Sequence, residues 1–270
     1  MFVVFDIGGS QTRVGVSRGG TALDEVMDKV TQIEYAAGLR LIVDMIHNLS
    51  NGERLDVVVG GIAGVWDRER NKIVKSPNLP DWENRDIKKD LEEKLGCDVR
   101  LENDAALGGL GEAVYGAGVG ENIVAYLACG TGVGGTRIVN KKIDIAAEPG
   151  HMMLISNQES GIMNNVTLEG LVGGRSLQLK YGRRVEEIDD SGVWGRIIDN
   201  VAMGIVNVTV MWVPDIVILG GSLAKSIDAE KLKTAVSQKL TIYPWVPKIV
   251  KAKLGDQAGL WGGLRMLATG

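Results

Sequence analysis

The chain has 270 residues and a net charge of −4, with 30 basic and 34 acidic side chains. This length suits two domains, and 45% hydrophobic residues can fill a core in each. No basic run indicates binding to nucleic acid or to a membrane surface, and no apolar run is long enough to span a bilayer. The sequence opens directly with a strand pattern and shows no signal peptide, so we expect a soluble, cytoplasmic protein.

Glycine is abundant, with 37 of 270 residues, which is roughly twice the usual share of about 7%. The glycines cluster in short segments without a collagen-like period, which indicates tight turns and close backbone approaches. The two cysteines, Cys97 and Cys129, have neither a metal-binding nor a disulfide spacing. Both lie in apolar surroundings, so we expect buried, reduced thiols.

The first segment predicts a β-hairpin with a glycine-rich tip. An apolar strand covers residues 1–7, and an extended pattern resumes at Arg13. Small residues with backbone N–H groups and hydroxyls between the strands suit phosphate oxygens; they are Gly8, Gly9, Ser10 and Thr12. Asp6 beside them could hold Mg²⁺, usually through water. A plain type I′ turn is the alternative, because Gly-Gly favours it too.

A helix, a buried strand and a rigid loop are predicted next. Apolar residues at three- and four-residue spacing favour a helix over 26–48, and the apolar run at 55–63 favours a buried strand. Two prolines exclude a helix from the loop at 76–82. Asn78 on that loop suits hydroxyl recognition, although Asn between prolines is often simple turn chemistry.

The segment at 101–106 is the centre of the sequence pattern. A strand pattern ends at Leu101, a short helix pattern over 86–95 precedes that strand, and a helix rich in small residues follows at 107–113. Asn103 and Asp104 therefore lie where a strand stops and a helix begins, the place where open α/β sheets bind ligands. Asp104 could cap the helix or act as a general base toward a bound hydroxyl.

The second half of the sequence repeats the pattern of the first segment, a strand, a Gly-rich turn and a return strand. A buried strand at 122–129 leads into a Gly/Thr turn and a return strand at 136–139. The residues of this turn that could face phosphates are Gly130, Thr131 and Gly132. Two related lobes facing each other could hold a triphosphate between their hairpin tips. A polar loop follows at 148–152, and a helix is predicted from about Leu168 to Leu179.

The last third predicts two further helices around an apolar strand. A long amphipathic helix covers 194–210, the strand at 214–219 ends in Gly220 and Gly221, and a polar helix follows at about 228–240. The two glycines would let a planar group such as a nucleotide base lie against the backbone, or they serve a turn with left-handed geometry. A final helix at 260–267 is expected to pack on the first lobe.

Seven of these segments, in order, resemble the ROK family of bacterial and archaeal sugar kinases, within the actin-like ATPase superfamily. They are DIGGSQTR (Asp6–Arg13), SPNLPDW (Ser76–Trp82), LENDAALGGLGE (Leu101–Glu112), GTGVGG (Gly130–Gly135), EPGHM (Glu148–Met152), LEGLVGGRSL (Leu168–Leu177) and PDIVILGGSLA (Pro214–Ala224). The resemblance implies an α/β, two-lobed actin-like ATPase (ribonuclease H-like) fold with a cleft between the lobes. We expect a small N-terminal lobe at 1–115, with the C-terminal helix 258–270 packed back on it, and a large lobe at 116–257.

The same resemblance implies an ATP:hexose 6-phosphotransferase, glucokinase-like, that uses ATP and Mg²⁺. The residues expected to line the sugar are Asn78, Asn103, Asp104, Glu148, His151 and Glu169. The residues expected to face the phosphates are Gly8, Gly9, Ser10, Thr12, Gly130, Thr131 and Gly132, with Gly220 and Gly221 beside the adenosine. Carboxylates and amides match sugar hydroxyls well, and phosphoryl transfer needs one base for the attacking hydroxyl, for which we expect Asp104.

The sequence departs from the family at three places. Many members bind structural zinc through cysteines that follow the Gly-His motif, but 154–166 has no cysteine, so we expect no zinc. His151 would then bond a sugar hydroxyl or serve a structural role. Pro149 stands where an aliphatic residue is usual and Gln11 where Lys is common, which bears on substrate preference and phosphate affinity.

Several alternatives stay open at this point. The sugar could be glucose, our first expectation, or fructose, mannose, N-acetylmannosamine or N-acetylglucosamine, and a homodimer is possible. A non-catalytic sugar sensor of the ROK type is the second class, although the sequence has no DNA-reading module. A degenerate kinase scaffold is less favoured because Asp104, Asp6 and both Gly-rich hairpins are present. A sugar-independent ATPase is less favoured because it would not need the expected sugar-binding set of Asn78, Asn103, Glu148, His151 and Glu169.

Overall fold

The computed structural model describes residues 1–154 and 166–268. The chain divides into two compact units, Met1–Tyr115 together with the chain from Asp256 onward, and Gly116–Gly255. The strands are β1 (Phe2–Ile7), β2 (Gln11–Ser17), β3 (Glu25–Val30), β4 (Val57–Ile62), β5 (Val65–Trp66), β6 (Ile73–Lys75), β7 (Asp98–Asn103), β8 (Ile123–Cys129), β9 (Val133–Val139), β10 (Lys142–Ala147), β11 (Met153–Leu154), β12 (Val166–Thr167), β13 (Ile216–Gly220) and β14 (Lys248–Lys251). The α-helices are α1 (Tyr35–Ser50), α2 (Ile87–Leu95), α3 (Asp104–Tyr115), α4 (Leu168–Val172), α5 (Gly174–Tyr181), α6 (Ser191–Trp212), α7 (Ser222–Ser226), α8 (Ala229–Lys239) and α9 (Ala258–Leu267).

The first unit is built on a five-stranded sheet of order β3-β2-β1-β4-β7. β1, β2 and β3 form an antiparallel meander, whereas β1, β4 and β7 are parallel. The parallel register aligns Ile7 with Ile62 and Ile62 with Asn103. The carboxyl ends of these three strands therefore lie at one edge of the sheet, where α/β folds bind ligands.

Helices cover both faces of this sheet. Alternation along β1 sends Phe5 into a core formed with apolar residues of α1 and α2, such as Ile42 and Leu91. Asp6 points to the other face, against which α9 packs: a Cβ on Gly259 would lie 2.8 Å from the Asp6 carboxyl carbon. α3 and α9 approach closely, since a Cβ on Gly262 would collide with the Leu107 carbonyl.

The second unit repeats the same sheet plan. Its order is β10-β9-β8-β13-β14, with an antiparallel meander of β8, β9 and β10 and parallel β8, β13 and β14. The long helix α6 supplies much of the core through buried residues such as Ile197, Val201 and Ile205. Each unit therefore begins with a hairpin whose first strand is central in the sheet.

Two predicted helices differ from the structure. The helix predicted over 26–48 is wrong at its start, because Glu25–Val30 forms strand β3 and the helix begins at Tyr35. β3 is an edge strand that is almost fully exposed, so no alternation of apolar residues marks it. The helix predicted from Leu168 to Leu179 is two helices, since Gly173 has an extended backbone between α4 and α5.

No helix in the two described ranges is both long and apolar enough to cross a membrane.

Candidate active site

The side-chain carboxyl groups of Asp6 and Asp104 lie close together at the edge of the first sheet where its parallel strands end. Asp6 lies near the end of β1, and Asp104 is the first residue of α3, directly after β7. A Cβ on Gly61 would lie 3.4 Å from Asp6 Oδ1 and 3.2 Å from the Asp104 Cα. The negative charge of Asp104 raises the pKa of Asp6, so the two carboxyls act as a pair.

Asp6 is the more strongly perturbed member. Burial of its carboxyl, and then the nearby Asp104 charge, raise the pKa of Asp6 to about 8, against an opposing effect of Arg13. Its Oδ1 is buried and accepts no hydrogen bond from the described residues. The carboxyl sits between Gly61 and Gly259: a Cβ on Gly259 would crowd it at 2.8–3.0 Å, whereas one on Gly61 would lie in van der Waals contact at 3.4 Å. The sequence interpretation missed these two glycines, although both stand in Gly-rich motifs of the sequence.

Asp104 keeps a lower pKa than its neighbour. Burial raises the pKa of Asp104 to about 6, while the backbone N–H groups of Ala105 and Asp104 itself donate to the carboxylate and oppose that rise. The capping role belongs to the preceding residue, because Asn103 Oδ1 accepts a hydrogen bond from the Ala106 N–H at 3.0 Å. The Asp104 carboxylate therefore lies at the start of α3 without being its side-chain cap.

Asn78 and Asn103 lie on segments attached to this edge. The Asn103 Nδ2 donates to the Gly64 carbonyl at 3.0 Å. The loop that carries Asn78 is held by Ser76, whose hydroxyl donates to the Ala63 carbonyl at 2.8 Å. Asn78 in turn contacts the first hairpin, since a Cβ on Gly9 would lie 2.9 Å from Asn78 Cγ. The structure thus brings Gly9 and Asn78 together within the first unit.

The tip of the first hairpin is closed by a hydrogen bond from the Gly8 N–H to the Gln11 carbonyl at 3.0 Å. Neither Gly9 nor Ser10 has a positive φ, so the tip is not the type I′ turn considered above. Ser10 is exposed. Thr12 differs from the expectation that it faces phosphates: it is buried, and its hydroxyl lies 3.1 Å from the Thr31 hydroxyl. The Thr31 hydroxyl donates to the Gly8 carbonyl, so this pair supports the tip from within.

The second hairpin tip is attached to Glu169. The Val133 N–H donates to Glu169 Oε2 at 2.8 Å, and a Cβ on Gly132 would collide with the same carboxylate. The N–H of Gly174 donates to the Gly130 carbonyl at 2.8 Å, which ties the tip to the start of α5. Thr131 is exposed, and a Cβ on Gly130 would meet open space. The sequence interpretation assigned Glu169 to the sugar and missed its bond to this hairpin.

Glu148 precedes a short 3₁₀ turn, Pro149–His151, on the same unit, and His151 is the last residue of that turn. Pro149 and Gly150 are buried against β9, with a Cβ on Gly150 colliding with the Val133 carbonyl. His151 is exposed, and its N–H donates to the Glu148 carbonyl at 3.0 Å. Pro149 is buried, and its ring packs closely against Gly135, where an added Cβ would clash with it.

Gly220 and Gly221 end β13 and precede α7. Gly221 has a φ of 85°, which favours glycine, and a Cβ there would collide with the Cys129 carbonyl. A Cβ on Gly220 would collide with the Tyr126 hydroxyl. The positive φ accounts for Gly221 and close packing for both glycines, and the contact with the Cys129 carbonyl places this turn against the second hairpin.

A search of the described residues finds no cluster of three His, Cys, Asp or Glu side chains that could hold a metal ion. The segment 154–166, for which no zinc is expected, falls mostly outside the described residues, which omit 155–165. The buried Asp6 Oδ1, which accepts no hydrogen bond from the described residues, is an environment that suits a cation or its bound water.

Comparison with curated proteins finds relatives that match this chain along almost its full length. An uncharacterised protein of Clostridium perfringens is 30% identical, over 97% of this chain and 96% of its own. A glucokinase of Thermotoga maritima is 28% identical, over 97% of this chain and 95% of its own. An N-acetyl-D-glucosamine kinase of Photobacterium profundum is 27% identical, over 97% of each chain. Relatives of similar identity thus carry different substrate names.

Solved structures share the fold. The ROK hexokinase of Thermus thermophilus is 26% identical, with a TM-score of 0.82 over 100% of this chain and 99% of its own. A ROK family glucokinase of Streptomyces griseus, solved with glucose and AMPPNP, is 23% identical, with a TM-score of 0.83 over 100% and 99% of the two chains. The α/β units described above are thus those of the actin-like ATPase fold, as the sequence predicted.

A sequence model described as the ROK family matches residues 2–269. Because that match covers nearly the whole chain and agrees with the relatives and the fold, this protein belongs to the ROK family of sugar kinases and their relatives.

Proposed function

We propose that the protein is an ATP-dependent hexose kinase that transfers the γ-phosphate to a sugar hydroxyl, with O6 of glucose as the first candidate. One observation carries the proposal: Asn103 caps α3, so the Asp104 carboxylate, directly after the edge strand β7, is not needed as the side-chain cap. A carboxylate with a pKa of about 6 is ionised at neutral pH. It can therefore accept the proton of an attacking hydroxyl.

The other polar residues would orient the sugar. Asn103 uses one amide hydrogen and its oxygen inside the protein, which leaves its second amide hydrogen for a hydroxyl. Glu169 commits Oε2 to the second hairpin, and a carboxylate has several acceptor positions, so Oε1 can take a sugar hydroxyl. Asn78, Glu148 and His151 complete the proposed set of hydroxyl partners.

ATP and Mg²⁺ would be held by the glycine-rich tips and by Asp6. Gly9 and Ser10 on one hairpin, and Thr131 and Gly132 on the other, would offer backbone N–H groups to phosphate oxygens. The N–H groups of Gly8 and Gly130 close the two tips through bonds to the Gln11 and Gly132 carbonyls. Gly220 and Gly221 would flank the adenosine. Mg²⁺, when bound, neutralises charge that develops on the transferred phosphoryl group. Asp6 would hold it through water, and the cation would favour the ionised form of that carboxyl.

The choice of sugar substrate is a separate part of this proposal. The glucokinase and N-acetylglucosamine kinase relatives are about equally similar to this chain, so glucose leads only as our first candidate, ahead of N-acetylglucosamine, N-acetylmannosamine and fructose. A non-catalytic sugar sensor would bind sugar without turnover. We also propose a cytoplasmic location, where ATP is available.

The test is a coupled ADP-release assay with ATP and Mg²⁺ across hexoses and N-acetylhexosamines. We expect release that depends on one or two sugars, and Asp104→Asn should lower kcat about 10²–10⁴-fold while sugar still binds by calorimetry. The matched control is Asp98→Asn, which changes an exposed carboxylate at the start of β7, the strand that leads to Asp104. This variant should keep wild-type turnover. Sugar binding without ADP release in the wild type would support the sensor instead.

A further inference from the structure

A tight turn between β5 and β6 carries an arginine in a backbone conformation that favours glycine. The Asp67 side chain closes this turn, since its Oδ1 accepts from the Asn71 N–H at 2.8 Å and from the Lys72 N–H at 3.3 Å. Within it, Arg70 has a φ of 58°. A residue with a Cβ is strained there, so the arginine side chain must contribute something that glycine could not.

The Arg70 side chain reaches the carboxyl end of β7. Its Nε lies 3.0 Å from Glu102 Oε1, and the two side chains are 32% and 12% exposed. Glu102 is among the few charged residues that are buried in the described part of the chain. A buried carboxylate is costly without a hydrogen-bonding or ionic partner, and Arg70 supplies one from a loop more than thirty residues earlier in the sequence.

The same glutamate is joined to Asn103. Glu102 Oε1 also accepts the Asn103 N–H at 2.8 Å. The Asn103 side chain makes a second link to the same hairpin segment, because its Nδ2 donates to the Gly64 carbonyl at 3.0 Å. Two attachments, one at the base and one at the tip of the β5–β6 hairpin, therefore hold the residue directly before Asp104.

We propose that Arg70 and Glu102 are positioning residues, whose ion pair fixes the end of β7 so that Asn103 and Asp104 are held in the reactive geometry. This inference rests on the proposed kinase function. Neither residue is assigned contact with sugar or ATP; the pair acts through the Asn103 backbone. Because transfer to a hydroxyl depends on close alignment of the base, a small displacement of Asp104 should lower the rate more than it lowers binding.

The hairpin offers a matched control. Lys72, two residues along the same turn, forms an ion pair with Asp86 at 2.9 Å, and both side chains are largely exposed. That pair ties the hairpin to the residue preceding α2 and not to β7. Lys72→Ala thus removes an ion pair of the same hairpin at a distance from Asn103, and we expect it to leave kcat unchanged.

The decisive variants are Arg70→Gly, Glu102→Gln and their combination, with Arg70→Lys as the conservative form. Glycine relieves the strained φ, which offsets part of the stability lost with the partner of Glu102, so Arg70→Gly should still fold, with Tm measured as the control. We expect each single variant to lower kcat by about tenfold, with a much smaller change in the calorimetric Kd for sugar. The double variant should lose little more than either single one, since both break one interaction, and Arg70→Lys should recover part of the rate.

The outcomes separate the two proposals. An active wild type whose Arg70→Gly variant turns over normally would overturn the positioning role and leave the kinase proposal intact. If kcat falls only in proportion to Tm in all variants, including Lys72→Ala, the Arg70–Glu102 pair has only a structural role. A wild type that releases no ADP with any sugar would overturn the kinase function, and the positioning role with it.

Discussion

Asp6 and Asp104 show how two identical side chains acquire different chemistry from their surroundings. Asp104 receives backbone N–H groups and keeps a pKa of about 6, whereas the buried Asp6, facing that charge, is raised to about 8. Between these values the pair holds one proton, carried mainly by Asp6. Asp104 is thus the ionised member at neutral pH, which is the state a general base requires.

The pH dependence of turnover should follow Asp104. Since only the carboxylate accepts a proton, we expect kcat/KM for sugar to fall about tenfold per pH unit below pH 6 and to level off above it. The measurement is the rate from pH 5 to 9 at saturating ATP and Mg²⁺, with a coupling system checked at each pH. Asp98→Asn should give the same profile. A rate that stays constant down to pH 5 would contradict the assignment of Asp104 as the base.

At the scale of elements, the second hairpin and helices α4 and α5 form one connected structure. Glu169 on α4 accepts the Val133 N–H, and the first N–H groups of α5 donate to the carbonyls of Gly130 and Thr131. The residue proposed to bind sugar is therefore bonded directly to the turn proposed to bind phosphate. A substitution at either place should therefore change the binding of both sugar and ATP.

Gly132→Ala tests this connection. The added Cβ would collide with the Glu169 carboxylate, so Glu169 must turn away and release the Val133 N–H. We expect KM for both sugar and ATP to rise about tenfold, because one ionic hydrogen bond of about 1.5–3 kcal/mol is lost at the shared site. Steady-state kinetics with each substrate varied gives both constants.

Gly195→Ala is the control for that substitution. Gly195 lies in α6, where an added Cβ meets open space, so this variant should keep both KM values and gain about 0.5–1 kcal/mol of stability. If Gly132→Ala raises KM for only one of the two substrates, the hairpin and Glu169 are not coupled.

At the scale of the whole molecule, the paired carboxyls of Asp6 and Asp104 lower the stability of the folded protein. The folded-state pKa of Asp6, about 8, lies above the ordinary value of 3.8. Between these pH values the folded protein retains a proton that the unfolded chain has lost. The stability of the unliganded protein therefore declines as the pH rises from about 4 to about 8, by linkage.

Asp6→Asn should remove this cost. The variant should melt at a higher temperature than the wild type, and the gain should grow from pH 5 to pH 9, reaching at least about 1 kcal/mol, or roughly 2–4 °C in Tm. Thermal unfolding without ligands at each pH measures it. The same variant should lose Mg²⁺-dependent turnover. A difference in Tm that is the same at all pH values would show that the Asp6 carboxyl does not titrate in this range.

Much of this site was accessible from local sequence patterns. Strand patterns ending in Gly-rich tips predicted both hairpins, and the strand-to-helix change at Leu101 to Leu107 predicted the position of Asp104. The actin-like ATPase fold and the ROK family followed from seven motifs in order. The hairpins and the strand-to-helix change are local features, since turn chemistry and apolar periodicity act over a few neighbouring residues, whereas the fold and the family came from the resemblance of the motifs.

Only the tertiary structure decided what each polar group does. The edge strand β3 has no apolar alternation to reveal it, Thr12 turned out to be buried against Thr31, and Asn103 took the cap that Asp104 could have made. The Arg70–Glu102 pair and the two pKa values depend on segments that are distant along the chain. Burial and charge proximity are properties of the packed molecule, so no reading of neighbouring residues determines them.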